Sequence, residues 1–123
     1  MMFVPIFQLC STDSGVTALL GSGVDCRLYP FGEVPEPPVL PYAVWQRVTG
    51  LPENYLGDRP DAESHSIQID VYANTATASR EVADAIEYAI ETQAQVASYR
   101  PEQRDLDTKL YRASFDVDWI LNR

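Results

Sequence analysis

The clearest periodicity in the chain lies at residues 111–121. There Tyr111, Ala113, Phe115, Val117, Trp119 and Leu121 alternate with Arg112, Ser114, Asp116 and Asp118. Successive side chains of an extended strand point to opposite faces, so this stretch predicts a strand with one broad apolar face. Such a face needs a helix or a second sheet over it, and the rest of the chain is expected to be organised around that need.

Taken in order, residues 2–10 predict a short first helix. Pro5 is tolerated in a first turn, and Ile6, Leu9 and Cys10 form an apolar stripe at i, i+3, i+4. The polar run 11–14 offers caps for a second short helix carrying Val16, Leu19 and Leu20, with Gly21 suited to its C-terminal end. A brief strand is expected at 26–29, then a stiff loop at 31–38, where the prolines exclude helix and central strand. Residues 41–49 predict the next strand, with Tyr42, Val44 and Val48 on one face and Ala43, Trp45 and Arg47 on the other. Residues 51–64 look like a long connection, containing Pro52, Gly57, Pro60 and several acids. A strand at 66–73 follows, with Ile67, Ile69, Val71 and Ala73 inward and Gln68, Asp70 and Tyr72 outward. The main helix is expected over 78–91, capped by Thr75 or Thr77, with Val82, Ile86, Ala89 and Ile90 as its apolar stripe. A weaker strand at 95–100 and a polar turn at 101–107 lead into the C-terminal strand. The fold class is therefore α+β: a mostly antiparallel sheet of four to five strands, with one long helix and two short N-terminal helices packed on one face.

Composition narrows the function. The 123 residues suit one domain, and 46% hydrophobic with 22% charged residues matches a globular protein rather than a disordered one. A formal net charge of -9 argues against a groove that holds nucleic-acid phosphates, which would need clustered Lys and Arg. It is compatible with a surface that DNA passes without sticking, because like charge suppresses adhesion. Two cysteines, Cys10 and Cys26, are too few for a disulfide scaffold and lack metal-site spacing. Cys10, within an apolar helical stripe, is expected to be a small core residue. No stretch is long enough to cross a bilayer, and no basic leader precedes the first helix, so a reducing cytoplasm is expected.

In this order the chain resembles the phage and prophage tail-completion family, the tail terminators or tail-to-head joining proteins once grouped as a domain of unknown function. The resemblance is carried by the segment at 15–21 (GVTALLG), the turn at 27–30 (RLYP) and the strand at 40–50 (LPYAVWQRVTG). It continues through 68–73 (QIDVYA), the Ala-rich helix after it, and 111–118 (YRASFDVD). It spans nearly the whole chain, treated as a single tail-completion-like domain over residues 1–123. The resemblance implies helices on a mostly antiparallel sheet, no catalysis and no cofactor. It further implies subunits that form a ring, six-fold in relatives, at the head-proximal end of the tail tube, where growth stops and the head connector docks. Its implied partners are copies of itself, the tail tube protein and the head connector, with DNA passing through the bore unbound and no membrane involved. Assembly is then expected in the bacterial host cytoplasm.

Several residues carry candidate chemistry. Asp70, Asp116 and Asp118 could meet on the polar side of neighbouring strands and hold a divalent cation, as in a small carboxylate-using enzyme or ligand-binding domain. The plainer reading is a solvated or ring-interface face, with Arg47 and Arg112 close enough to neutralise the acids. His65, the one histidine, sits at a loop–strand junction and is expected at the surface. The glycines at 15, 21 and 23 do not form a phosphate-binding loop, lacking both a preceding strand and a Lys-Ser/Thr ending. Trp45 could serve the core or an interface equally. Tyr55 and Leu56, on an otherwise polar loop, point to a partner contact, and Arg59 to a forked pair with a partner carboxylate.

Overall fold

The computed structural model describes residues 3–53 and 62–122. The chain opens with two short helices, α1 (Ile6–Cys10) and α2 (Ser14–Leu20). The Asp13 carboxylate caps α2 by accepting the Val16 N–H at 3.1 Å. After Leu20 the backbone turns at Gly21, whose φ is 93°. A Cβ there would lie 2.9 Å from the Asp25 carbonyl oxygen, so only glycine fits both the dihedral and the close approach. A single 3-10 turn (Gly23–Asp25) leads into strand β1 (Leu28–Pro30).

Three long strands form the middle of the sheet: β2 (Tyr42–Glu53), β3 (Ala62–Ala73) and β6 (Tyr111–Asn122). Between β3 and β6 come helix α3 (Ala76–Ile90), strand β4 (Ala94–Tyr99) and the two-residue strand β5 (Gln103–Arg104). The order across the sheet is β1-β2-β3-β6-β4, with β5 also on β6. Among the described strands only the β1–β2 pair is parallel. This is the expected α+β class with a mostly antiparallel sheet.

Two expectations about extent are corrected. The segment 51–64 is not simply a connection: β2 runs on to Glu53 and β3 begins at Ala62, pairing Leu51 with Ser64 and Pro52 with Glu63. Local propensity missed this because Gly50 and Pro52 are poor strand formers. The β6 partners opposite, such as Ile120 across from Ser64, template the extension. The second correction concerns 101–107, which contains the β5 ladder Gln103–Arg112 and Arg104–Tyr111 rather than a turn alone.

One face of the sheet carries the core. Ile67, Ile69 and Val71 of β3 and Phe115, Val117 and Trp119 of β6 are all buried against Val82, Ile86 and Ile90 of α3. Val4, Ile6, Cys10, Val16 and Leu20 complete the cluster from the N-terminal segment and its helices. α3 starts earlier than its apolar stripe suggests, because Thr75 accepts the Ala78 N–H at 3.0 Å and fixes the first turn. The uneven alternation of β2 also has a cause: a bulge between Arg47 and Thr49 leaves Val48 without a β3 partner. The extra residue resets the phase of the strand and leaves Val48 exposed.

Candidate functional site

The opposite face of the sheet carries no described helix. Strand alternation and register place Tyr42, Val44 and Gln46 of β2 there, beside Tyr72, Asp70 and Gln68 of β3 and Arg112, Ser114, Asp116 and Asp118 of β6. Asp70, Asp116 and Asp118 thus share a face as expected. The register sets Asp70 opposite Ser114, Asp116 opposite Gln68 and Asp118 opposite Ser66, so no two of these acids face each other directly. Each is already engaged. Gln68 donates to Asp70 at 3.2 Å, Ser66 to Asp118 at 3.0 Å and Ser98 to Asp116 at 3.1 Å. Arg100 adds an ion pair to Asp116 at 3.2 Å. The middle of this face is drier than its ends, since Asp70 and Ser114 are buried while Asp118 is exposed.

Of the two arginines expected to neutralise these acids, Arg112 shares their face and Arg47 does not. Arg47 lies across from Ile67, on the helix-covered side of the sheet, because the bulge comes after it and not before. Arg112 does share the open face, but its guanidinium donates to Gln103 at 2.6 Å across the β5 ladder. The cation beside Asp116 is Arg100, from the residue just beyond β4. Its position was hidden because the β4 register on β6 cannot be read from a six-residue segment with weak alternation.

At one end of the open face three tyrosines gather. Tyr42 and Tyr72 stack with centroids 5.1 Å apart and planes at 22°, and Tyr29 tilts onto Tyr42 at 6.4 Å. Burial, with Tyr72 and the charge of Glu36 nearby, pushes the Tyr42 phenol above its usual range. Trp45 is half-buried and packs against the core cluster, which settles its place on the helix side. Tyr55, Leu56 and Arg59 lie outside the described residues.

His65 corrects the surface expectation. It is 2% exposed, with Nε2 3.1 Å from the Oε1 of Glu63, which is also buried. The signal was present: extending the β3 alternation backwards from Ile67 puts positions 65 and 63 on the core side. Continuous pairing to β6, with His65 opposite Trp119, carries the strand that far.

Shallow clefts lie between α3 and the β4–β5 edge, one of them of about 330 Å³. Arg80 of α3 and Glu102 line two of them and form a forked pair, at 2.8 and 2.9 Å. Among the described residues no three of His, Cys, Asp and Glu gather into a metal-holding group. No described helix is long and apolar enough to cross a membrane. Among the described residues the sheet presents one polar-aromatic face and two edges.

The sequence matches the model of a family described as "Tail completion protein gp17" over residues 4–122. Among solved structures, the fold is similar to a chain in the "Virion of native gene transfer agent (GTA) particle". The TM-score is 0.69 at 13% identity, covering 96% of this chain and 92% of that one; at such identity the likeness is one of fold. No curated protein matches the chain.

Proposed function

The chain belongs to the gp17 tail-completion family, a family of phage-tail structural proteins, and from that membership we propose that it is the ring-forming subunit that ends the tail tube. The observation that carries the reading is the family match from residue 4 to residue 122, which includes every strand and helix described above. In this reading the chain works as one domain over residues 1–123. Copies assemble in the host cytoplasm, acting on no substrate and using no cofactor. The ring sits at the head-proximal end, stops tube growth and offers its far side to the head connector.

Two properties support it. A formal charge of -9 suits a bore through which DNA passes without adhering. The helix-free face, with hydrogen-bonded acids and stacked tyrosines, suits contact with other proteins better than a solvated sheet of isolated charges would. Tyr55, Leu56 and Arg59, between β2 and β3 in the chain, are proposed to add a contact to the tube or the connector.

The test is genetic. Deleting the gene from its phage or prophage should leave filled heads unjoined to tails and tubes of uncontrolled length, both restored by the wild-type copy. A Tyr55→Ala, Leu56→Ala double variant should fold normally and fail to restore them. Particles of normal length and infectivity after deletion would end the proposal.

A further inference from the structure

We propose that the cleft between the start of α3 and the β5–β6 ladder is a binding site for a carboxylate, presented by an Asp or Glu side chain of a partner protein. The site is independent of whether the subunits form rings.

The cleft has a volume of about 290 Å³ and is lined by Arg80, Arg104 and Arg112, with Glu102, Gln103 and Tyr111 beside them. Three arginines thus meet one carboxylate, in a chain whose formal charge is -9. Strand pairing brings two of them together: the β5 ladder sets Gln103 opposite Arg112 and Arg104 opposite Tyr111. Arg80 comes from the second turn of α3, close to the helix end whose free N–H groups favour negative charge.

The one carboxylate of the cleft is already taken. Nε and Nη2 of Arg80 donate to the two oxygens of Glu102 at 2.8 and 2.9 Å. Arg104 and Arg112 have no carboxylate partner among the described residues. Arg104 lies over the Tyr111 ring, 5.2 Å from its centroid, and Arg112 donates through Nη2 to the neutral Oε1 of Gln103 at 2.6 Å. The Nε of Arg112 is buried with no hydrogen-bond partner, a costly state for a cation that a nearby anion offsets.

The acids of the adjoining turn temper the local field without occupying these guanidiniums. Asp105 lines a smaller cleft with Arg104 and Arg112, but its Oδ1 accepts the N–H groups of Asp107 and Thr108 at 2.8 and 3.2 Å. Asp107 lines neither cleft.

The donors select the ligand. A guanidinium matches a planar carboxylate through two parallel N–H···O bonds, and the Arg80–Glu102 pair shows that geometry within the same cleft. Nucleic acid is a poor occupant, because a polyanion meets the negative field of the whole chain while one side chain meets only the cleft. The Tyr111 ring holds Arg104 and Gln103 holds Arg112, so little side-chain freedom is lost when a carboxylate arrives.

The experiment titrates the full-length, nitrogen-labelled protein at constant ionic strength and reads arginine Nε–H and backbone amide signals by NMR. The probes are N-acetylglutamate N-methylamide, its neutral glutamine analogue and inorganic phosphate. The glutamate probe should give saturable shifts centred on Arg104, Arg112 and Gln103, with a Kd in the millimolar range that a few charge-assisted bonds provide. Arg104→Gln and Arg112→Gln should each weaken binding about fivefold and together abolish it, with thermal melts showing that the variants fold. Glu102→Gln, which releases the Arg80 fork, should tighten it. Absence of saturable shifts, equal shifts from the glutamine analogue, or unchanged binding by the double variant would overturn the site. Phosphate binding about tenfold tighter than the glutamate probe would overturn the carboxylate assignment. In the deletion strain, the double variant should restore infectious particles about tenfold less well than the wild-type copy. Full restoration by a variant that no longer binds the probe would overturn the partner role and leave the tail-tube reading intact.

Discussion

The two faces of the same three strands differ in what their residues are for. On the helix-covered face, Ile67, Ile69, Val71, Phe115, Val117 and Trp119 are essentially fully buried and interlock with α3. On the open face, Ser66 with Asp118 and Ser98 with Asp116 form hydrogen bonds that tie β3 and β4 to β6, and Gln68 bonds Asp70 within β3. The first face holds the fold through the area it removes from water. The second contributes little to stability but fixes where polar groups sit. A protein whose work is to be built into a larger object needs both, on opposite sides of one sheet.

The sharpest way to break this contrast is to truncate the covered face. Phe115→Ala should cost about 3–5 kcal/mol, lost burial plus the cavity left behind, measured by urea unfolding of the unassembled subunit. A loss under about 1 kcal/mol would mean that the helical layer is loosely packed.

The covered face also has a polar end, and the next largest effect is expected there. His65→Leu removes a partner of the buried Glu63 carboxylate and should cost about 1–3 kcal/mol. Replacing Glu63 with Leu as well should return much of that loss, because the buried carboxylate that needed a partner is gone. If the double variant is the less stable, the pair contributes more than its desolvation costs.

Burial also shows in the alkaline range. The Cys10 thiol is pushed from 9.0 to about 12, first by burial, then by Cys26 and Asp13. A folded-state value above the unfolded one means that the stabilisation is complete below about pH 9. It is lost as pH rises from there towards about 12, since only the unfolded chain ionises in that window. The slope from this group should be about 1.4 kcal/mol per pH unit. Cys10→Ala should flatten the alkaline limb of the stability curve, although Cys26, also raised by burial, keeps its own share. An unchanged slope would place Cys10 in contact with solvent.

The smallest effect belongs to the open face. Asp118→Asn leaves Ser66 a partner and should change stability by no more than about 0.5 kcal/mol. A larger loss would make this face structural and erase the distinction.

Much of this division was legible in the chain. Strict alternation at 111–119 marked the covered face of β6, and the stripe Val82, Ile86, Ile90 marked the helix that covers it, because both arise from local period alone. Three things were not. Val48 drops out of register because of a bulge after Arg47, which no local pattern announces. His65 and Glu63 are buried because β6 extends β3, a long-range pairing that overrides their surface preference. The partner of Asp116 is Arg100 because of how β4 sits on β6, a register set between segments and not within either. Period tells which residues share a face; only the pairing of strands tells which of them meet.

The central claim, a subunit that ends the tail tube, is tested most directly by adding the purified protein to growing tubes of the matching tail protein and measuring tube length in electron micrographs. Growth should stop at the end that receives the protein, with a ring visible there and mean length falling as more is added. Tubes that lengthen at the same rate, with bare ends at every concentration, would contradict the account.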